Sequence, residues 1–330
     1  MNRSSYHHRY LVFITIFLMV GAAAIIDVQK ADAVRPGEVS WTAEGVAALR
    51  AIGALCPDEK IRNPDYLAVK FINPAYWHYS VYNPSNYDVS MRVVRAYRVD
   101  TYFLVNARTH KLDQTLLEMA SDGLEQVVVL GAGFDTRAYR FAEKMLGIKF
   151  FELDLPATLE RKKQVVEKAL GQVPDYVAYA PIDFNTETIE EALVRVGYDP
   201  AKKTYFVWEG VTMYITEEAV KATLQFIATR SAPGSAVVFD YLLAGVAARD
   251  WKKYPKARMS ASLCALHSEP WIFGFPEPSA EEFVRQTGLE VVEDLSGEEM
   301  TTKFMTRSDG KLDGMAGSHW GLMHAKVPER

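Results

Sequence analysis

The sequence predicts an α/β fold: a mostly parallel sheet with helices on both faces, closed by an antiparallel pair and preceded by a helical cap. Three observations predict it. Short apolar runs alternate with amphipathic stretches from Glu125 onwards, the pattern of βα units. The run Val127–Leu130 is apolar at every position, as in a strand buried on both faces. It runs directly into Gly131-Ala132-Gly133, with an acidic residue, Asp154, 23 positions after Gly131. That spacing is where doubly wound folds place a ribose-binding carboxylate.

The N-terminal segment is expected to stand apart from this fold. Leu11 to Ile26 is a 16-residue uncharged apolar run preceded by Arg3 and Arg9. It is slightly short for a spanning helix, and Ala31-Asp32-Ala33 has the small-x-small form of a cleavage site. Residues 1–33 are therefore read as a signal peptide or a membrane anchor, with membrane association through residues 11–26. The flanking charges predict an outward-facing remainder. Residues 34–124 form the cap and an aromatic-rich region. Trp41–Ala54 is helical, with Thr42 as its cap. Between Asn63 and Tyr87, Pro64, Pro74 and Pro84 interrupt regular structure, while Tyr66, Tyr76, Trp77, Tyr79 and Tyr82 supply apolar surface.

Residues 125–330 carry the sheet. Strands are expected at 126–131, 149–154, 176–180, 204–209 and 235–241, with one helix starting near Thr136 in the first crossover. Helices are expected at Ala157–Leu170, stopped by Gly171, at Glu217–Thr229, capped by Thr216, and at Ala280–Thr287. Leu289–Asp294 and Trp320–Val327 close the sheet as an antiparallel pair. The insertion 243–278 reads as a lid, and its Trp251, Tyr254, Trp271 and Phe273 form an acceptor pocket, a lid or packing over the sheet's edge, packing being the default for most of them.

Composition narrows the function classes. Of 330 residues, 49% are hydrophobic and 24% charged, which suits one large globular core. A net charge of −5 without a basic run argues against nucleic acid as a partner. Cys56 and Cys264 are too few for a disulfide framework and lack metal-site spacing.

Ligands in open α/β sheets bind beyond the carboxyl ends of the strands. There the sequence places the glycine loop, Asp154-Leu155, Asp183-Phe184 and Glu209. Position 136, where G-x-G-x-x-G has its third glycine, holds Thr136, which argues against a dinucleotide and for another adenosine-bearing cofactor. In that reading Asp154 accepts from the ribose hydroxyls, Asp183 from the exocyclic amine, and Phe184 covers the purine. Glu209 offers a negative partner to an ammonium or sulfonium. Asp135 and Arg137 pair with one another or brace the loop, a structural rather than a catalytic role.

The segments Gly131-Ala-Gly-Phe-Asp-Thr-Arg137, Phe151-Glu-Leu-Asp154-Leu-Pro156, Asp183-Phe184 and Trp208-Glu-Gly-Val-Thr-Met-Tyr-Ile215 together resemble the leucine carboxyl methyltransferase / polyketide-type O-methyltransferase family, including its bacterial members. The resemblance runs over about residues 40 to 327 and implies a class I methyltransferase with a Rossmann-like sheet that uses S-adenosyl-L-methionine. It puts cofactor contacts on Gly131, Ala132, Gly133, Asp154, Leu155, Asp183, Phe184 and Glu209. An upstream arginine meets the methionine carboxylate: Arg98 aligns best, with Arg95 as the alternative. The expected reaction is methyl transfer to an oxygen, carboxylate or hydroxyl, of a small-molecule or peptide acceptor, and the apolar N-terminal run would suit a hydrophobic one. No catalytic base is assigned, although Tyr214, His78 and Asp100 are conceivable. A nicotinamide-dependent oxidoreductase and a non-catalytic cofactor-binding relative are the competing readings. A cofactor made in the cytosol argues for a cytoplasm-facing catalytic domain, against the charges around residues 11–26.

Overall fold

The computed structural model describes residues 39–72, 86–96, 99–184 and 186–329. The N-terminal apolar run, Tyr76, Trp77, His78, Tyr79, Tyr82 and Arg98 lie outside them. Among the described residues no helix is long and apolar enough to cross a membrane.

Among the described residues four helices precede the sheet: α1 (Trp41–Ala54), α2 (Ala68–Phe71), α3 (Tyr87–Ala96) and α4 (Asp100–Ser121). Ser40, not Thr42, caps α1: its hydroxyl accepts from the Ala43 N–H at 3.1 Å, and Thr42 falls inside the first turn. The sheet then follows as β1 (Gln126–Leu130), α5 (Arg137–Arg140), β2 (Lys149–Asp154), α6 (Pro156–Leu170), β3 (Val177–Pro181), α7 (Ile189–Arg195), β4 (Thr204–Trp208), α8 (Glu217–Arg230) and β5 (Ala236–Leu242). The insertion contributes α9 (Ala244–Ala247) and α10 (Ala257–Leu266). After it come α11 (Ala280–Arg285), β6 (Glu290–Ser296), α12 (Gly297–Phe304) and β7 (Trp320–Lys326).

The seven strands are ordered β3-β2-β1-β4-β5-β7-β6. β1 to β5 are mutually parallel, and β7 enters antiparallel between β5 and β6. The strands expected from the sequence are present with ends moved by one or two residues. Side-chain alternation gives each strand two apolar faces. Val127, Val129, Tyr205 and Val207 pack with Leu104, Leu112 and Leu159 of α4 and α6 on one side. Val128, Leu130, Phe206 and Trp208 pack with Leu193, Leu224 and Ile227 of α7 and α8 on the other.

The first crossover differs from expectation. A single helix was expected from Thr136, yet α5 has four residues and is followed by a short 3-10 turn, Ala142–Lys144. Ion pairs hold this stretch: Arg137 and Arg140 are both buried against Asp113 of α4. Pairing two buried guanidiniums with carboxylates fixes the backbone locally, and Gly147, at φ 85°, turns it into β2.

Candidate active site

The chain reverses its direction of travel across the sheet at β1: β2 and β3 lie on one side, β4 and β5 on the other. Such switch points open a crevice at the carboxyl ends of the strands. Here the crevice deepens into a cavity of about 270 Å³. Gly131, Ala132, Gly133, Asp154, Leu155, Asp183, Phe184 and Glu209 all line it, so eight residues nominated from the sequence meet on one wall.

Backbone conformation explains the glycines. Gly131 has φ 66° and Gly133 φ 41°, the left-handed region. A Cβ on Gly131 would lie 2.2 Å from Val211 Cγ2, so the loop also needs that space. The Gly133 N–H donates to Asp154 Oδ2 at 2.6 Å and the Leu155 N–H to Asp154 Oδ1 at 2.7 Å. An ionised carboxylate has about four lone-pair sites, so one on each oxygen remains for a diol. Burial pushes the Asp154 carboxyl up to about 6, although Gly133, Leu155 and Lys162 pull it down.

Glu209 is placed on the cavity wall but is not a bare carboxylate. Arg108 Nε donates to its Oε1 at 3.0 Å, and Arg137 Nη1 to its Oε2 at 2.8 Å. Burial alone would raise this carboxyl; the two guanidiniums overturn that and hold it at about 2. Asp135 pairs with Arg137 as expected, in a bracing role. Asp240, behind Glu209, takes Arg108 Nη1 at 2.5 Å and accepts from the Gly210 N–H at 2.6 Å. Glu209 thus meets any ligand as part of a buried lattice. The sequence alone did not reveal Arg108 or Asp240, because nothing about either residue type or its neighbours marks a partner over a hundred positions away.

Arg95, the alternative to Arg98, is not on this wall. It is exposed on α3, pairs with Asp313 at 3.3 Å, and lines a second cavity with Arg92 and Arg307. The described cations at the main cavity are Arg50 and Arg108. Arg50 is held by Asp65 at 2.8 Å and donates to the Phe134 carbonyl at 2.6 Å. Of the conceivable bases, Tyr214 lines the cavity; Asp100 does not, although its neighbours Val99 and Thr101 do. Cys264 is a free buried thiol at the cavity, and Cys56 is free and buried elsewhere.

The roof comes from two distant segments. The Trp41 and Thr42 N–H groups at the start of α1 each donate at 2.9 Å to one oxygen of Glu269, from the insertion. A carboxylate there meets unsatisfied N–H groups and the positive end of the helix dipole. Trp41 also stacks on His267, ring centres 3.9 Å apart and 8° from parallel. From the insertion, Met259, Leu263 and Trp271 continue the wall, joined by Trp320 of β7. Trp251, Tyr254 and Phe273, grouped with Trp271 in the sequence reading, do not line the cavity.

The lining suits an adenosine-bearing cofactor: a cradle that only glycine fits, a carboxylate with free lone pairs, and Asp183-Phe184 on the adjoining strand end. Comparison with known proteins agrees. The profile of the leucine carboxyl methyltransferase family matches residues 43–228, more than half of the chain. A protein of Mycolicibacterium smegmatis, named "Putative S-adenosyl-L-methionine-dependent methyltransferase", is 30% identical over 222 residues, 64% of this chain and 69% of that protein. A Streptomyces coelicolor protein of the same designation, SCO7813, is 34% identical over 203 residues, 61% of this chain and 69% of its own. Among solved structures, the methyltransferase SibL in its apo form matches at TM-score 0.42 and 13% identity, over 69% of this chain and 59% of its own. By the profile match and these identities, the chain belongs to the leucine carboxyl methyltransferase family and is an S-adenosyl-L-methionine-dependent methyltransferase.

Proposed function

We propose that the enzyme methylates a carboxylate oxygen of a small, largely apolar acid. One observation carries this reading: apart from Asp154 and Asp183, which this reading gives to the cofactor, the lining side chains able to move a proton are already committed, Glu269 to the Trp41 and Thr42 N–H groups among them. Burial pushes the Cys264 thiol up to about 12 and the Tyr214 phenol well above its usual value, so both stay protonated at neutral pH. Glu209 is locked to Arg108 and Arg137, and Asp135 to Arg137. A carboxylate acceptor needs no base because it is ionised at pH 7. Met259, Leu263, Trp271 and Trp320 would surround its apolar remainder.

Bound S-adenosyl-L-methionine supplies an activated methyl group on a sulfonium. The protein's work is to hold the acceptor oxygen in line and keep water out, which stabilises a transition state in which opposite charges cancel. Arg50 and Arg108 are bound by carboxylates of their own, so the chain spends no spare lining cation on the acceptor among the described residues.

Radiolabelled methyl transfer into matched aromatic and aliphatic acids, alcohols, phenols and amines tests the reading. Esters release methanol in alkali, whereas ethers and methylamines do not. Alkali-labile product from the acids supports carboxyl methylation; alkali-stable product from phenols or alcohols assigns a hydroxyl acceptor instead.

We also propose that residues 11–26 tether the protein to a membrane or direct it across one. Their apolar run and flanking arginines support this. Mass spectrometry of the mature protein distinguishes the cases: a start at Val34 means cleavage, and an intact Met1 in the membrane fraction means an anchor. An intact Met1 in a wholly soluble protein would overturn both.

A further inference from the structure

Behind the glycine loop lies a charge pair whose two residues do not line the cavity. Lys162 of α6 and Glu152 of β2 are both fully buried, with Nζ 2.8 Å from Oε2. Burying such a pair is expensive, and apolar residues of similar volume often serve stability as well or better. Lys162 Nζ also donates to the Ala132 carbonyl at 3.1 Å. Glu152 accepts from the Tyr139 hydroxyl at 3.2 and 3.3 Å, and Tyr139 is hydrogen-bonded to Tyr179 at 2.8 Å.

The geometry gains meaning at the peptide bond between Ala132 and Gly133. The Ala132 carbonyl and the Gly133 N–H are opposite ends of one rigid planar unit. Lys162 holds the oxygen end, and the N–H end donates to Asp154 Oδ2 at 2.6 Å. Glycines at positive φ flank this unit on either side of Ala132, so local sterics alone do little to fix its orientation. A cation on the carbonyl fixes it and polarises the N–H towards the carboxylate.

We propose that Lys162 is a positioning residue for cofactor binding: by pinning the Ala132–Gly133 peptide it orients Asp154, so that the carboxylate's free lone pairs face the ribose site. The proposal rests on the assignment of this cavity to the cofactor. Lys162 also favours the ionised form of Asp154 through space, and Glu269 from the insertion opposes it. The other charged groups around this wall are Glu152 on the same strand, Asp135 in the loop, and Asp183 and Glu209 on the neighbouring strand ends. Replacing Lys162 therefore misaligns the carboxylate and also makes it easier to protonate.

The test is calorimetric titration of the full-length protein with S-adenosylhomocysteine between pH 5 and 9. Lys162→Met alone strands a buried Glu152, so Lys162→Met/Glu152→Gln is measured beside it, with circular dichroism confirming the fold. The double variant is expected to bind about tenfold more weakly at pH 7.5, the loss of roughly one charge-assisted hydrogen bond. Its acidic limb, where binding fails as Asp154 protonates, should move to higher pH; a purely structural role would lower affinity without moving that limb. Burial also pushes the Glu152 carboxyl up to about 7, so Asp154→Asn is added to the double variant, which lacks that carboxyl, and should lose the limb altogether. Wild-type protein that does not bind S-adenosylhomocysteine would refute the cofactor assignment. Wild type and a folded double variant with the same affinity and the same acidic limb would refute the positioning role alone.

Discussion

Glu209 offers the sharpest quantitative test of the site's electrostatics. Its two oxygens are each held by a buried guanidinium, and its carboxyl is depressed from 4.5 to about 2. Lowering the carboxyl from 4.5 to about 2 makes this group worth about 3 kcal/mol of folding stability at pH 7. Because the folded value lies below the unfolded one, the contribution is complete above the unfolded value and fades as pH falls towards 2. At pH 3, about 2 of those 3 kcal/mol should be gone. Glu209→Gln keeps the shape and removes the charge, leaving Arg108 and Arg137 short of a partner, a change that typically costs about 3–5 kcal/mol. The assay is urea unfolding of wild type and variant at matched pH values from 7 to 3. Taking the difference cancels other carboxylates such as Asp154, whose raised value works in the opposite direction. The gap between the proteins should be about 3 kcal/mol at pH 7 and narrow to about 1 kcal/mol at pH 3. A gap below about 0.5 kcal/mol at pH 7, or one that stays flat with pH, would mean that the two ion pairs do not hold this carboxylate as described.

Three further outcomes follow from the geometry. Asp154→Ala should weaken S-adenosylhomocysteine binding by about 1.5–3 kcal/mol, roughly 12- to 160-fold by calorimetry; unchanged affinity would place the ribose elsewhere. Gly131→Ala forces an L side chain into φ 66° and against Val211, so affinity should fall, and Gly131→Ala/Val211→Ala should recover only the part due to the clash, since the backbone penalty of about 1–2 kcal/mol remains. Glu269→Gln weakens the bridge between the start of α1 and the insertion by about 1 kcal/mol, so S-adenosylhomocysteine should leave about fivefold faster in stopped flow; an unchanged rate would show that this roof does not gate release.

Much of the site was legible because it is local in sequence. Gly131, Gly133, Asp154, Asp183 and Glu209 sit at strand ends, and strand ends can be read from apolar runs and turn residues. The corrections fall where long-range pairing overrides local pattern. The helix expected from Thr136 shrank to four residues because Arg137 and Arg140 answer to Asp113, more than twenty positions away. Ser40 rather than Thr42 caps α1, a choice one turn of helix decides. Arg95 carried the right charge on the wrong face, paired with Asp313.

By itself, then, the sequence determined the parallel sheet, the glycine loop, the set of carboxylates at the strand-end crevice and the kinship of the chain, since period, spacing and backbone permissiveness are written residue by residue. Tertiary structure alone decided how those carboxylates are charged and aimed. Arg108 reaches Glu209 across 101 positions, Glu269 reaches Trp41 across 228, and Lys162 reaches the Ala132 carbonyl across 30. A carboxylate's protonation and direction depend on what is buried against it, and burial exists only once the chain has folded.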